Sequence, residues 1–131
     1  MHIPVTGFAA AVCGLLLLFL AVRVSMLRLH HRVALGDGGI SELTRAIRTH
    51  ANTVEQVPIF LVQCACYEIY LGAGPFLMGL VGAFLLARLL FAWGLSRATL
   101  SLPRRFGAGL TYLAQLLLSI GLLTQVVTTF I

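Results

Sequence analysis

The sequence predicts an all-α integral membrane protein built as a bundle of four helices. The chain of 131 residues is 60% hydrophobic and only 10% charged, a balance outside that of soluble globular domains. Four apolar stretches follow one another, at residues 5–22, 57–71, 75–95 and 106–131. No alternation of apolar and polar residues indicates a strand. We expect one membrane domain over residues 1–131, with helices at about 4–31, 41–71, 75–97 and 104–131.

The first helix is predicted from an apolar run that continues to Val22 and ends in a basic segment containing Arg23, Arg28 and Arg32. No basic residue precedes the run, as one would in a cleavable signal peptide. Its length approaches the roughly 20 residues that span a bilayer. We therefore interpret it as a spanning anchor.

The second helix combines a polar first half with an apolar second half. Its apolar run over residues 57–71 is too short to span a bilayer alone, but a helix from Ser41 to Leu71 would be about 45 Å long. The glycine-rich residues 36–39 predict a flexible turn before it. Ser41 is the expected N-cap, and Glu42 would lie in the first turn, where the helix dipole favours an acid.

The third and fourth helices are predicted from two further apolar runs. Small residues of the third helix suit close helix packing: Gly79, Gly82, Ala83 and Ala87. Leu102-Pro103 is expected to separate the two helices, so that Arg104 and Arg105 open the fourth.

The basic residues predict the orientation of the chain. All nine are arginines, and eight of them flank the first and third connections, whereas the N-terminus and the turn at residues 72–75 have none. The positive-inside rule then places both termini outside the cytoplasm. The net charge of +5 is explained by this arrangement and by attraction to membrane lipids, so no nucleic-acid partner is expected.

One face of the second helix carries four strongly polar side chains: Arg45, Arg48, Asn52 and Glu55. At 100° per residue they fall within roughly 80° of one another. Ionisable groups are costly in hydrocarbon unless they face a partner, protein or water, so this stripe cannot face lipid. We expect a ligand site here rather than a hydrogen-bonded seam that only joins helices.

Arg88 adds a charge inside the third helix, about 13 Å from its predicted end. At that depth it must reach the interface, pair with Glu55 or bind an anionic ligand. Arg28, Arg45 and Arg48 join it on the same side of the membrane. The excess of positive charge over Glu55 favours an anionic ligand.

The cysteines and histidines do not predict a metal site. Cys64 and Cys66 lie about 200° apart on a helix and cannot share a metal or form a bridge, so packing roles are expected. His30 and His31 lie beside arginines without the acids or thiols that would complete a metal site.

Residues 45–58 resemble the second-helix signature of the MAPEG superfamily, the membrane-associated proteins of eicosanoid and glutathione metabolism. The resemblance rests on the spacing of Arg45, Arg48, Asn52, Glu55 and Pro58. Residues 35–39, 88–96 and 105–107 look most like the small bacterial branch of that superfamily. The resemblance covers nearly the whole chain.

This resemblance implies a homotrimer that holds glutathione as cofactor between protomers near the cytoplasmic face. Arg48, Asn52 and Glu55 match glutathione-contacting positions, and Arg28 and Arg88 resemble arginines of the first and third helices. We also include Arg45, which shares the stripe. Guanidinium groups suit the two carboxylates of glutathione, and a carboxylate such as that of Glu55 suits its ammonium group.

The chemical step that the resemblance implies is formation of a thiolate. A thiol pKa near 8.5 must be lowered by positive charge, and Arg104 or Arg105 is the expected catalytic residue, aided by the helix N-terminus. The chain departs from the eicosanoid branch at Leu95, where those enzymes carry tyrosine, and at Phe91, where relatives often show histidine or tyrosine. Eicosanoid synthesis is therefore not predicted.

The expected function is that of a glutathione-dependent transferase or peroxidase acting on lipophilic electrophiles in a bacterial inner membrane. The alternative is a non-catalytic membrane module that binds a lipid headgroup or another small anion. A proton-coupled exporter would need a membrane-embedded acid that is free to titrate. Glu55 lies among arginines and Glu68 lies near the outer turn, so the exporter ranks last.

Overall fold

The computed structural model describes residues 2–130 as four α-helices. These are α1 (Pro4–His31), α2 (Ser41–Leu71), α3 (Pro75–Arg97) and α4 (Leu102–Phe130). No strand occurs within the described residues, so the all-α prediction is confirmed. Met1 and Ile131, included in the predicted domain, lie outside the described range.

Helices α1, α3 and α4 are each long and apolar enough to cross a membrane. Helix α2 has 31 residues and is about 45 Å long, but its polar first half lowers its hydropathy. That polar half contains the residues that the sequence predicts as a ligand site.

The connection between α1 and α2 differs in detail from the prediction. Ile40, not Ser41, occupies the N-cap of α2, and it makes no side-chain capping hydrogen bond. Asp37 instead accepts hydrogen bonds from the Gly39 backbone N–H, at 3.0 Å, and from the Thr44 hydroxyl, at 2.7 Å. These bonds lower the pKa of Asp37 and tie the loop to the first turn of α2.

Helix α4 begins at Leu102, two residues before its predicted start at residue 104. Proline was expected to end the preceding helix, but Pro103 lies in the first turn of α4. A first-turn N–H has no partner within the helix, so proline is tolerated there.

The core lies where α2 meets the other helices. Phe60 of α2 and Phe84 of α3 stack with their ring centroids 3.7 Å apart. Cys13 and Cys64 are fully buried in the same cluster, in agreement with their expected packing role. Helices α3 and α4 form the most extensive helix pair.

Polar contacts also join α2 to α4, at Gln56 and Gln63 of α2. Gln63 Nε2 donates to Ser119 Oγ at 2.7 Å, and Gln115 Nε2 donates to the Gln56 carbonyl oxygen at 3.1 Å. Such interhelical hydrogen bonds stabilise helix packing in an apolar environment. These side chains therefore act as a packing seam.

Glu68, near the end of α2, caps the start of α1. Its two carboxylate oxygens accept hydrogen bonds from the backbone N–H groups of Val5, at 2.9 Å, and Thr6, at 2.8 Å. The side chain is 3% exposed. First-turn N–H groups lack partners within their own helix, and the positive end of the dipole favours an anion. Glu68 therefore fixes the N-terminus of α1 against α2.

Replacing Glu68 with glutamine is expected to lower the free energy of unfolding by about 1–2 kcal/mol, because the amide loses the negative charge and one of two acceptor oxygens. Unfolding by SDS titration in mixed micelles measures this change. The matched control is Glu42→Gln, since Glu42 is an exposed first-turn acid of α2. An equal loss in both variants would contradict the capping role.

Candidate anion-binding site

A pocket of about 230 Å³ lies between the first half of α2, the end of α3 and the start of α4. It lies on the side of the bundle that holds the arginine-rich connections. The lining residues are Thr44, Arg45, Arg48, Asn52, Phe91, Leu95, Thr99 and Arg104. Among the described residues that line it, none is acidic. Its charge therefore favours an anion.

Three guanidinium groups surround the pocket, from Arg45, Arg48 and Arg104. Arg104 donates a hydrogen bond to the carbonyl oxygen of Thr99, which holds its side chain beside the preceding turn. The Nε atom of Arg45 is buried and has no hydrogen-bond partner among residues 2–130. A buried donor without an acceptor is costly, so a bound anion would satisfy it.

Arg88 lies next to the pocket and contacts two of its lining residues, Asn52 and Phe91. Its side chain is 1% exposed, and its guanidinium lies 4.7 Å from the centroid of the Phe91 ring. Nη1 donates to Asn52 Oδ1 at 2.9 Å, and Nη2 donates to Thr111 Oγ1 at 2.7 Å. Arg88 thus joins α3 to both α2 and α4.

The contact with Arg88 also sets the orientation of the Asn52 amide. A guanidinium has no acceptor, so the oxygen of Asn52 must face Arg88. The amide NH₂ group of Asn52 is then left as a donor for an anion in the pocket. Sequence reasoning proposed Glu55 as a partner of Arg88, but Glu55 is exposed and the donors of Arg88 bond to Asn52 and Thr111.

The predicted polar stripe of α2 divides between two environments. Arg45 and Asn52 lie about 20° apart around the helix axis and face the pocket, whereas Glu55 is rotated about 60° from Asn52 and is exposed. Arg48 lies between these directions, so it lines the pocket and is also exposed.

The remaining predicted site residues lie elsewhere in this chain. Arg28 donates to the Ala34 carbonyl oxygen at 3.3 Å and lines a surface groove at the end of α1. Arg105 lines a separate apolar groove between α3 and α4. Arg104, rather than Arg105, therefore lies at the anion pocket.

Sequence reasoning missed the threonines of the site. Thr44 and Thr99 line the pocket, and Thr111 holds Arg88. Thr111 lies four residues after Gly107, on the face of α4 that meets α3, and this spacing is a signal that could have indicated it. Thr99 lies in a turn, where no helical periodicity applies.

Two glycines allow the close approach of α3 and α4 that builds one wall of the pocket. A Cβ added at Gly94 would clash with the backbone nitrogen of Arg104. A Cβ added at Gly107 would lie 2.6 Å from the carbonyl oxygen of Ala87 and 2.6 Å from the backbone nitrogen of Phe91. Both contacts involve backbone atoms, which cannot move aside as a side chain can.

Most of the chain is similar in sequence to one known protein family. The profile of the MAPEG family matches residues 6–124, which include all of the pocket-lining residues. The chain belongs to the MAPEG family. The resemblance deduced from the second-helix signature is confirmed.

Two relatives of this MAPEG protein are the inner membrane protein YecN of Escherichia coli strain K12 and of Escherichia coli O6:H1 strain CFT073. Each is 40% identical over 115 residues, which is 87% of this chain and 86% of the relative. The similarity therefore extends across nearly the full length of both proteins.

Proposed function

We propose that this MAPEG protein binds glutathione in the anion pocket and acts as a transferase or peroxidase on lipophilic electrophiles in the inner membrane. The observation that carries the proposal is the grouping of Arg45, Arg48 and Arg104 with Asn52 around one pocket, with a buried Arg45 Nε that lacks an acceptor. Family membership and the inner-membrane relatives support it.

The pocket residues take different roles in this proposal. Arg45 and Arg48 bind carboxylates, because guanidinium groups form paired hydrogen bonds with them. Asn52 donates its amide N–H to the same ligand. Arg104 lies beside the sulfur and lowers the thiol pKa without losing its own proton. Arg104 is chosen over Arg105 because only Arg104 lines the pocket.

The transfer reaction is a nucleophilic substitution. Glutathione releases its thiol proton to water, and the thiolate attacks an electrophilic carbon to form a C–S bond while the leaving group departs with its electron pair. In the peroxidase reaction two glutathione molecules reduce one hydroperoxide to an alcohol and water and become a disulfide. The chain supplies binding and charge in both reactions.

A homotrimer would complete the site. Arg48 and Glu55, which belong to the polar stripe of α2, are exposed in the single chain. Charged groups are unfavourable against lipid. We propose that a neighbouring copy covers this face and that Arg28 reaches the ligand across the contact. Glu55 would then meet the ammonium group of glutathione.

The second candidate is a non-catalytic membrane module that binds a small anion or a lipid headgroup in the same pocket. Phe91 and Leu95 favour it, because they present only hydrocarbon to the pocket. The two functions differ in one measurable property, which is whether the bound ligand becomes a thiolate.

Titration of detergent-purified protein with glutathione at neutral pH, followed by ultraviolet difference absorbance in the thiolate band, tests the proposal. We expect a saturable signal. Arg48→Ala should weaken binding by about tenfold or more, because it removes a charge-assisted hydrogen-bond partner. Arg104→Ala should keep affinity within about threefold but reduce the thiolate to a few per cent, as for an unperturbed thiol.

The variant Arg105→Ala tests whether Arg104 or Arg105 lowers the thiol pKa. Because Arg105 does not line the pocket, this variant should leave the thiolate signal unchanged. S-methylglutathione, which has no ionisable thiol, should bind without producing the signal. Binding of glutathione without any thiolate would favour the non-catalytic module. Absence of binding by intact protein would refute the glutathione proposal.

A further inference from the structure

A second groove, away from the anion pocket, lies between α1 and α3. Its volume is about 570 Å³, and its walls include Val12, Phe19, Leu89 and Trp93. Phe19 is 65% exposed and Trp93 is 50% exposed. Because α1 packs mainly against α2 and much less against α3, part of the surface between α1 and α3 is left open.

The groove has the length of one bilayer leaflet. It extends along α1 from Val12 to Arg23, which is about 16 Å at the helical rise. Half of the hydrocarbon core is about 15 Å thick. The apolar part of the groove therefore matches the acyl region of a single leaflet, on the side of the arginine-rich connections.

Two guanidinium groups lie at the interfacial end of this groove. Arg23 donates a hydrogen bond to Ser96 Oγ, and the Ser96 hydroxyl donates in turn to the Ala92 carbonyl oxygen at 2.6 Å. Arg97 lies over the Trp93 ring, 4.6 Å from its centroid. Arg23 itself lines the groove, and Arg97 lies beside it through its contact with the groove residue Trp93.

These contacts fix the two cations without neutralising them. The partner of Arg23 is a neutral hydroxyl, and the partner of Arg97 is an aromatic face. A guanidinium has five N–H donors, so Arg23 has donors left for a further acceptor. Phosphate oxygens suit such donors, and tryptophan is typical of the level of lipid headgroups.

We propose that the α1–α3 groove is a specific site for one anionic glycerophospholipid, such as phosphatidylglycerol. An acyl chain lies along the apolar walls and the phosphate group binds Arg23 and Arg97. The lipid belongs to the leaflet beside the first and third connections, which the positive-inside rule makes the cytoplasmic one. This site is independent of the glutathione proposal, because the groove and the anion pocket have no lining residue in common.

The position of the only tryptophan in the chain makes a direct test possible. Trp93 lines the groove, so a phospholipid with brominated acyl chains quenches its fluorescence only when a chain lies close to it. The protein is reconstituted into phosphatidylcholine vesicles that contain increasing fractions of brominated phosphatidylglycerol or brominated phosphatidylcholine. We expect an association constant at least about fivefold higher for phosphatidylglycerol.

Charge variants identify the residues that produce this preference. Arg23→Gln and Arg97→Gln should each lower the phosphatidylglycerol preference, and the double variant should bring it close to one. Arg23→Lys should retain most of it, and this variant serves if Arg23→Gln does not fold. Arg105→Gln is the matched control. It removes the same charge from the separate apolar groove between α3 and α4, which Trp93 does not line.

Equal quenching by the two brominated lipids would overturn the proposal and leave only nonspecific lipid contact. Weak quenching by both would also overturn it, because a protein surface, such as another copy of the chain, would then cover the groove. A preference that persists in the double arginine variant would refute the role of Arg23 and Arg97.

Discussion

Replacing Arg88 with leucine is expected to lower the free energy of unfolding by about 2–4 kcal/mol and to weaken binding in the anion pocket. The change leaves Asn52 Oδ1 without its donor and removes the two hydrogen bonds to Thr111 Oγ1, and a buried unsatisfied polar atom costs about 1–3 kcal/mol. Asn52 also loses the contact that orients its amide toward the pocket. SDS titration measures stability, and calorimetric titration with glutathione measures binding.

A double variant separates these two consequences. Arg88→Leu with Asn52→Leu removes both partners of the hydrogen bond between these residues, and replacing both partners of a buried hydrogen bond with apolar groups can be nearly neutral for stability. We expect it to recover part of the stability lost in Arg88→Leu without recovering binding. If Arg88→Leu alone is as stable and binds as well as the wild type, Arg88 does not have this supporting role.

Arg88 illustrates which part of the site can be predicted from the sequence and which part cannot. Helical periodicity placed Arg45, Arg48 and Asn52 on one face, and depth in the third helix showed that Arg88 needed a partner. The partner itself depends on how α2, α3 and α4 rotate against one another. Sequence reasoning proposed Glu55 because charge complementarity is visible in a sequence, whereas the hydroxyl of Thr111 becomes a candidate only once α4 is in place.

The four helices were predictable because long apolar runs, glycine turns and arginine clusters mark them clearly. The exact ends of the helices were less predictable. Ser41 has the side chain of an N-cap, but Asp37 ties the loop so that Ile40 takes that position. Pro103 ends many helices, yet its position in the first turn of α4 makes it compatible with the helix. Both outcomes depend on loop geometry that periodicity does not describe.

The capping of α1 by Glu68 is a second contact that only the tertiary structure reveals. A membrane-embedded acid in a sequence suggests proton coupling, but both oxygens of Glu68 accept backbone hydrogen bonds from α1. The two charged side chains buried in the bundle interior of residues 2–130, Glu68 and Arg88, both join helices. At the anion pocket, by contrast, the buried Arg45 Nε has no acceptor among the described residues.

Replacing Gly107 with alanine is expected to destabilise the protein by about 3 kcal/mol or more, a larger loss than overpacking at most buried positions. The added Cβ would lie 2.6 Å from two backbone atoms of α3, so α4 must move away from α3. This movement separates Thr111 from Arg88 and displaces Arg104 from the pocket. We expect a lower yield of folded protein, a lower unfolding midpoint in SDS and loss of glutathione binding.

Gly109→Ala is the matched control on the same helix. A Cβ at Gly109 meets nothing within 4 Å, so alanine adds helix propensity without a clash. It should raise stability by up to about 1 kcal/mol and leave binding unchanged. The opposite signs expected at positions two residues apart distinguish helix packing from helix propensity. If Gly107→Ala behaves like Gly109→Ala, α3 and α4 are not in the close contact that forms this wall of the site.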